Sequence, residues 1–287
     1  MRIDLGSKTS VAAIIPARNE ENFIDKTLAA LFEQYVQPDK VVVVNDGSND
    51  MTAEIALTAG AKVVNVPDRG YNVHGMPYLA AVINYGLKTL QDEEYGISES
   101  DYVLVLGADH TLVQNYIGTI LNVMEANRSI AICSGQIAGE HSVIPRGSGR
   151  IVRAKFWRSI GFRYPENFGF ETYLLIKAQQ QGYNIEILPN LVTQTLRKTG
   201  INYKKSVYIS YGKSLKALGY SRIYSAARIG RVSVRKPKGG FYMFKGYMSN
   251  NVEMYDRELR SYLSTIQHKR IKRYIRNPIK AFVDRSA

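Results

Sequence analysis

The chain has 287 residues, 45% of them hydrophobic, with a formal net charge of +13 and a single cysteine. That much apolar sequence supports one large core, or a core with an appendage, while one cysteine excludes an internal disulfide framework and a cysteine-built metal site. No apolar run approaches the ~20 residues of a membrane-spanning helix, and "MRIDLGSKTS" carries no apolar signal-peptide core, so a reduced, cytoplasmic setting is expected.

The charge is unevenly placed. Residues 1–196 hold 16 Lys+Arg against 21 Asp+Glu, a net of −5, and residues 197–287 hold 22 against 4, a net of +18. The whole basic excess lies in the last third, which points to an anionic partner there, a membrane surface or a nucleic acid.

The chain opens with the apolar run "VAAII" (11–15), which reads as a strand stopped by Pro16. "NEENFIDKTLAALFEQ" then spaces Phe23, Ile24, Leu28, Leu31 and Phe32 on one helical face. "VVVV" (41–44) is a second strand, and "MTAEIALTAGA" a helix that ends near Gly60. "KVVNV" is a third strand, followed by the helix "YLAAVINYGLKTL". "YVLVLGAD" is a fourth strand, "NYIGTILNVMEAN" a helix and "IAICSGQI" a strand holding Cys133 as a buried thiol.

Strand and helix alternate at short spacing, the pattern of a mostly parallel sheet with helices on both faces. The runs VAAII, VVVV and YVLVL do not alternate with polar residues, as befits strands buried on both sides. Ligands of such sheets bind beyond the carboxyl ends of the strands. The polar tips Pro16–Glu20, Asn45–Ser48 and Gly107–His110 therefore fall on one edge.

Each tip has a distinct chemistry. "PARNEE" opens a helix, where backbone N–H groups suit an anion or a nucleobase edge. In "NDGSND", Asp46 can accept hydrogen bonds from a base or sugar, and Ser48 and Asp50 read as caps of the next helix. In "LGADHT", Asp109 ends a buried strand, where a carboxylate is costly unless paired or bound to a cation. Mg²⁺ or Mn²⁺ would suit it; His110 would join a softer ion such as Mn²⁺ or simply hydrogen-bond. Further on, "ENFGFETYLLIKAQQQGY" puts Glu171 at the start of an amphipathic helix, after the glycine-containing, mobile-looking loop "YPENFG".

In order and spacing these blocks resemble the family 2 glycosyltransferases of the GT-A fold, over roughly residues 9–190. The blocks are "VAAIIPARNEENFIDKTLAAL", "VVVVNDGSNDMTAEIA", "YVLVLGADHTLVQNYI" and "GFETYLLIKAQQQGY". The resemblance implies a GT-A catalytic domain over 1–196 and a basic, mainly helical acceptor or membrane-surface segment over 197–287. It implies that Pro16, Ala17, Arg18 and Glu20 line the nucleotide site, with Asp46 reading uracil or guanine. Ala108 and Asp109 complete the donor set, and Arg69, in the loop "DRGYNVHGMP", is placed against the diphosphate or base. Asp109 is similar to the last aspartate of the family's Asp-x-Asp metal motif, and with His110 it would hold Mn²⁺ or Mg²⁺. Glu171 stands where the family carries its catalytic acidic residue.

Two positions depart from the family pattern. The first aspartate of Asp-x-Asp is Gly107, and the family's Glu-Asp pair is Phe170-Glu171. What remains implies an inverting displacement, with Glu171 as base and metal at Asp109. The acceptor is a glycan hydroxyl or a lipid phosphate. The departures leave a catalytically inactive relative as an alternative.

After "RKPKGG", read as a flexible break, the last helix spaces Leu259, Tyr262, Leu263, Ile266, Ile271, Tyr274 and Ile275 as an apolar stripe beside Lys269, Arg270, Lys272, Arg273 and Arg276. Interfacial helices have this form, so the segment is expected either on an anionic membrane surface, the inner face, or packed back on its own domain. "KGGFYMFKGYM" adds aromatic and methionine residues to that interface. A nucleic-acid binder would use the same charge, but no RNA-recognition or zinc-finger motif is present, and no specific nucleic acid is expected.

Overall fold

The computed structural model describes residues 10–68, 77–92, 96–98, 101–197 and 205–276. These form two compact units. The described residues of Met1–Asn72, Ala81–Tyr164 and Gln181–Thr199 make the first; those of Val73–Ala80, Pro165–Gln180 and Gly200–Ala287 make the second.

The described strands of the first unit are β1 (Val11–Ala17), β2 (Lys40–Asp46), β3 (Lys62–Val66), β4 (Tyr102–Val105), β5 (His110–Thr111), β6 (Ile130–Ile137), β7 (Arg150–Arg153) and β8 (Asn184–Thr195). They lie in the order β3-β2-β1-β4-β7-β6-β8-β5. β3, β2, β1 and β4 run parallel, as do β6 and β8. β7 is antiparallel to β4 and β6, and β5 to β8. The helices between them are α1 (Ile24–Phe32), α2 (Thr52–Thr58), α3 (Pro77–Thr89), α4 (Tyr116–Ala126) and α5 (Ala154–Ser159).

Both sheet faces are covered, for the reason the unbroken apolar runs suggest. Val11, Ala13 and Ile15 of β1 share a buried cluster with Leu28 and Leu31 of α1 and Ile117, Ile120 and Leu121 of α4. Ile14, which alternation turns to the other face, meets α3. A methyl group on Gly86 would lie 2.6 Å from the Ile14 side chain and 3.1 Å from that of Val44. Cys133 is fully buried in β6, and burial pushes its thiol up to about 12.

Three elements differ from the sequence reading. β1 runs through Pro16, which pairs with Val44. The Ile14 carbonyl accepts from Leu106 N–H, so Ile14 bonds toward β4, and Pro16, two residues on, would also point there. β4 has ended by then, and the missing N–H costs no ladder bond. The fourth strand stops at Val105, and the separate β5 takes His110 and Thr111 against Thr195 and Gln194. β8 itself went unread because Pro189 breaks its pattern; its register slips there, from Leu188 opposite Gly135 to Val192 opposite Gln136.

The second unit is helical: α6 (Phe170–Gln180), α7 (Lys205–Ala217), α8 (Arg222–Arg235), α9 (Pro237–Tyr247) and α10 (Arg257–Arg276). "RKPKGG" is no flexible break. Lys236 alone separates α8 from α9, Pro237 opens α9, and Gly239 and Gly240 are buried where Tyr208 and Ser233 come close. The first part of the α10 stripe packs at home: Leu259 and Leu263 are buried with Tyr255, Leu218, Ala217 and Ile176, and Tyr262 packs against them. The side chains of Tyr274 and Ile275 lie outside the described residues.

Candidate active site

The loops after β1 and β2 are laced together. Asn19 N–H donates to Ser48 Oγ (3.0 Å), Glu20 N–H to Thr52 Oγ1 (2.7 Å) and Glu21 N–H to Asp50 Oδ2 (3.2 Å). In return, Asn49 N–H donates to Asn19 Oδ1 (2.9 Å) and Met51 N–H to Glu21 Oε2 (3.1 Å). The Asn19, Glu20 and Glu21 donors of "PARNEE", expected to face an anion, are thus spent on the neighbouring loop. Ser48 is likewise not a cap of α2, because its hydroxyl serves Asn19. Asp50 does accept from Thr52 N–H (3.0 Å) at the helix start.

Arg18 ties three strand ends together. Its guanidinium donates to the Asp46 carbonyl and, at 2.7 Å, to Asp68 Oδ1 beyond β3. Asp46 is buried at the tip of β2, and Gly47 after it takes a φ of +60°. No side chain fits there: a Cβ would lie 2.4 Å from the Asp68 Cα. Pro16 and Ala17 end β1 beside this tip. Arg69 and His74 lie outside the described residues.

The third tip is built around Asp109. Thr27 of α1 donates to the Ala108 carbonyl (2.8 Å), and Leu196 N–H to the Asp109 carbonyl (2.7 Å). These bonds bring the end of β8, and with it Arg197, to the carboxylates. Arg197 Nε donates to Asp109 Oδ2 at 3.0 Å, and its Nη2 to Glu20 Oε1. The guanidinium lies over the Phe23 ring, 5.0 Å from its centroid. Glu20 is buried, its Oε2 has no hydrogen-bond partner among the described residues, and burial holds its carboxyl above the usual range against the pull of Arg197. The two carboxylates raise the pKa of Arg197 despite its own burial.

His110 turns away from this cluster. Its Nδ1 is 2.5 Å from Ser148 Oγ and its Nε2 2.7 Å from Thr193 Oγ1. Gly107 N–H donates to Ser148 Oγ (2.8 Å), and Thr193 Oγ1 donates to the Gln136 carbonyl (3.4 Å). One tautomer completes the chain: Ser148 donates to Nδ1, and Nε2–H donates to Thr193. Both ring nitrogens are then engaged, so of the two roles read for His110 the structure gives hydrogen bonding and not metal ligation.

The residues present do not fit a resident divalent ion. Gly107 replaces a carboxylate, and a Cβ there would lie 3.2 Å from Ser148 Oγ and 3.3 Å from Asp109 Oδ1. Asp109 is paired with Arg197, and among the described residues no three His, Cys, Asp or Glu gather to hold a metal.

Glu171 belongs to the other unit, in the first turn of α6. Gly169, at φ +81°, sets that start, and a Cβ on it would press on Leu218 at 2.7 Å. The loop before it is held down. Asn167 Nδ2 donates to the Glu253 carbonyl (3.0 Å), and Phe168 packs in the cluster of Leu218 and Leu259.

Arg197 is the residue that sequence reasoning missed. It was counted with the basic segment, and only the pairing of β8 with β5 moves it beside Asp109, 88 residues away in the chain.

Solved structures share this architecture. The chain superposes on Staphylococcus aureus TarS 1–349 with a TM-score of 0.55 at 14% identity, covering 94% of this chain and 92% of that one. It superposes on the mannosyltransferase PcManGT of Pyrobaculum calidifontis, solved with GDP-Man and Mn²⁺, with a TM-score of 0.56 at 14% identity, covering 96% and 84%. At such identities the likeness shows the fold, which is GT-A. A 59-residue stretch is 51% identical to the 4,4'-diaponeurosporenoate glycosyltransferase of Staphylococcus aureus (strain bovine RF122 / ET3-1); it is 21% of this chain and spans only 16% of that relative. Residues 12–173, more than half of the chain, match the family described as Glycosyl transferase family 2. The chain belongs to that family.

Proposed function

We propose that this chain is a glycosyltransferase that moves a sugar, with inversion, from a UDP- or GDP-linked donor to an acceptor hydroxyl or a lipid phosphate. The observation that carries the donor half is the convergence of Arg18, Asp46, Glu20 and Asp109 at the carboxyl ends of neighbouring parallel strands, where such sheets bind nucleotides. TarS was also solved in complex with UDP-GlcNAc, and PcManGT with GDP-Man, which supports the donor class. Pro16, Ala17 and Arg18 border the nucleotide, Asp46 reads the base, and Ala108 and Asp109 border the donor sugar.

Glu171 is the base. It removes the acceptor proton as the acceptor oxygen attacks the anomeric carbon, or orients an acceptor phosphate that is already ionised. A divalent ion at Asp109 and His110, as the family resemblance implies, finds too few free ligands here for any step to be routed through it.

The acceptor side is read as a lipid, met at an anionic bilayer. Residues 222–248 carry seven Lys and Arg and no Asp or Glu. On α9, Phe241, Phe244 and Met248 are 61%, 50% and 58% exposed, flanked by Lys238 and Lys245, while Gly239, Gly240, Met243 and Gly246 fill the inner face. An exposed aromatic stripe between lysines is the form of an interfacial helix. The docking face is read as α8 and α9, since Leu259 and Leu263 of the α10 stripe are already buried at home. Among the described residues no helix is long and apolar enough to cross a membrane.

The test is a nucleotide-sugar panel on the purified protein. UDP- or GDP-sugars should raise its melting temperature, and Glu171→Gln should keep that shift while turnover falls about 10²- to 10⁴-fold. Near-normal turnover in Glu171→Gln removes the base assignment. No shift with any donor, and no turnover, favours an inactive relative.

A further inference from the structure

We propose that Arg197 is the cation that receives the donor diphosphate, in the place where a divalent metal would stand. This deepens the nucleotide-sugar reading above and rests on it.

Geometry carries the inference. Arg197 bridges two carboxylates that lie side by side at the strand ends: Nε to Asp109 at 3.0 Å and Nη2 to Glu20. The three side chains are not equally accessible. Arg197 is 38% exposed, Asp109 21% and Glu20 8%. The guanidinium is thus the most accessible of the three charged groups at this corner. Two of the five guanidinium N–H groups are spent on those carboxylates among the described residues, and a guanidinium matches phosphate oxygens in a fixed fork.

The cation is also built in. Leu196 N–H holds the Asp109 carbonyl, Thr195 pairs with His110, and the Phe23 ring supports the guanidinium face. Asp109 and Glu20 thereby serve as positioning residues for a cation the chain supplies itself. The same corner is poor in metal ligands. Gly107 stands where a second carboxylate would, with Ser148 crowding the space, and His110 has both nitrogens engaged.

The chemistry balances without a metal. The bond from the anomeric carbon to the β-phosphate oxygen breaks, and its electron pair stays on that oxygen. Arg197 donates hydrogen bonds to it as charge builds there. The acceptor oxygen forms the new bond to carbon and gives its proton to Glu171.

The experiment measures binding of UDP, GDP and the corresponding nucleosides to chelator-stripped protein, in EDTA and then with Mn²⁺ or Mg²⁺. Diphosphate binding should persist in EDTA. Arg197→Gln should weaken it about ten- to a hundredfold, the loss of hydrogen bonds to a charged group, and leave nucleoside binding unchanged. Arg197→Lys should fall between, keeping the charge and losing the fork. Because Arg197→Gln strands two carboxylates, the triple variant with Glu20→Gln and Asp109→Asn serves as a folding control and should show the same loss. Diphosphate binding that vanishes in EDTA and returns with metal, or that survives Arg197→Gln, overturns this inference while leaving the transferase reading intact. A protein that binds no nucleotide under any condition overturns both.

Discussion

His110 shows how one residue's chemistry is decided by distant partners. Ser148 and Thr193, 38 and 83 residues away, hold its two nitrogens in a chain of hydrogen bonds that needs a neutral ring. Burial lowers its pKa from 6.5 to about 4, against a smaller opposing pull from Asp109. The sign follows directly. The unfolded chain takes up the proton near 6.5 and the folded chain resists until about 4, so His110 supports folding above 6.5 and that support is lost as pH falls through the window. Integrated over it, the loss is about 3 kcal/mol. Urea unfolding at pH 7 and at pH 4.5 should show the decline, and His110→Gln should flatten it. A wild-type midpoint that does not move across that range contradicts the assignment. The residue type and its place beside Asp109 were legible in the sequence; the hydroxyls that fix its tautomer were not.

At the scale of elements, the second unit depends on glycines where two helices meet. A Cβ on Gly212 of α7 would lie 1.9 Å from the Met243 carbonyl oxygen of α9, and one on Gly246 would lie 2.1 Å from the Ile209 carbonyl oxygen of α7. The two helices thus touch backbone to backbone. Gly246→Ala forces them apart, and overpacking of this kind costs about 1–3 kcal/mol. The loss is partly offset by the better helix propensity of alanine, by up to ~1 kcal/mol. Thermal unfolding should show a net loss of stability, and a variant as stable as wild type would mean that the helices separate at no cost. The first unit is different in kind. Its β1, β2 and β6 were readable as runs of apolar residues, because strands covered on both faces have no polar alternation to disguise them. β7 and β8 were not. Their partners lie far along the chain, and Pro189 interrupts the longer one.

On the scale of the whole molecule, the basic excess has a definite location. The seven cations of 222–248 lie in the same stretch of chain as the exposed Phe241, Phe244 and Met248, so on the proposed lipid reading charge attraction and burial of aromatic side chains would act together. In flotation assays the full chain should rise with vesicles containing phosphatidylglycerol and stay down with pure phosphatidylcholine. Raising ionic strength should weaken the association, because the charged term is screened. The pair Phe241→Ser and Phe244→Ser should reduce flotation with little effect on melting, since both rings are exposed. Equal binding of the pair to acidic vesicles would remove α9 from the docking face. Tight, salt-sensitive binding to RNA, with no flotation, would replace the lipid by a nucleic acid.

The sequence by itself determined the fold class, the family, the polar strand tips and the basic character of the C-terminal third. Each of these is local: a run of valines, a spacing of polar groups, a density of lysine and arginine. Tertiary structure alone decided which charges meet. It spent the Asn19, Glu20 and Glu21 backbone donors on the β2 loop, turned His110 from Asp109 toward two hydroxyls, buried Leu259 and Leu263 of α10 and carried Arg197 to Glu20 and Asp109. Such pairings depend on strand order and register, which join residues far apart in the chain and leave no periodic trace in it.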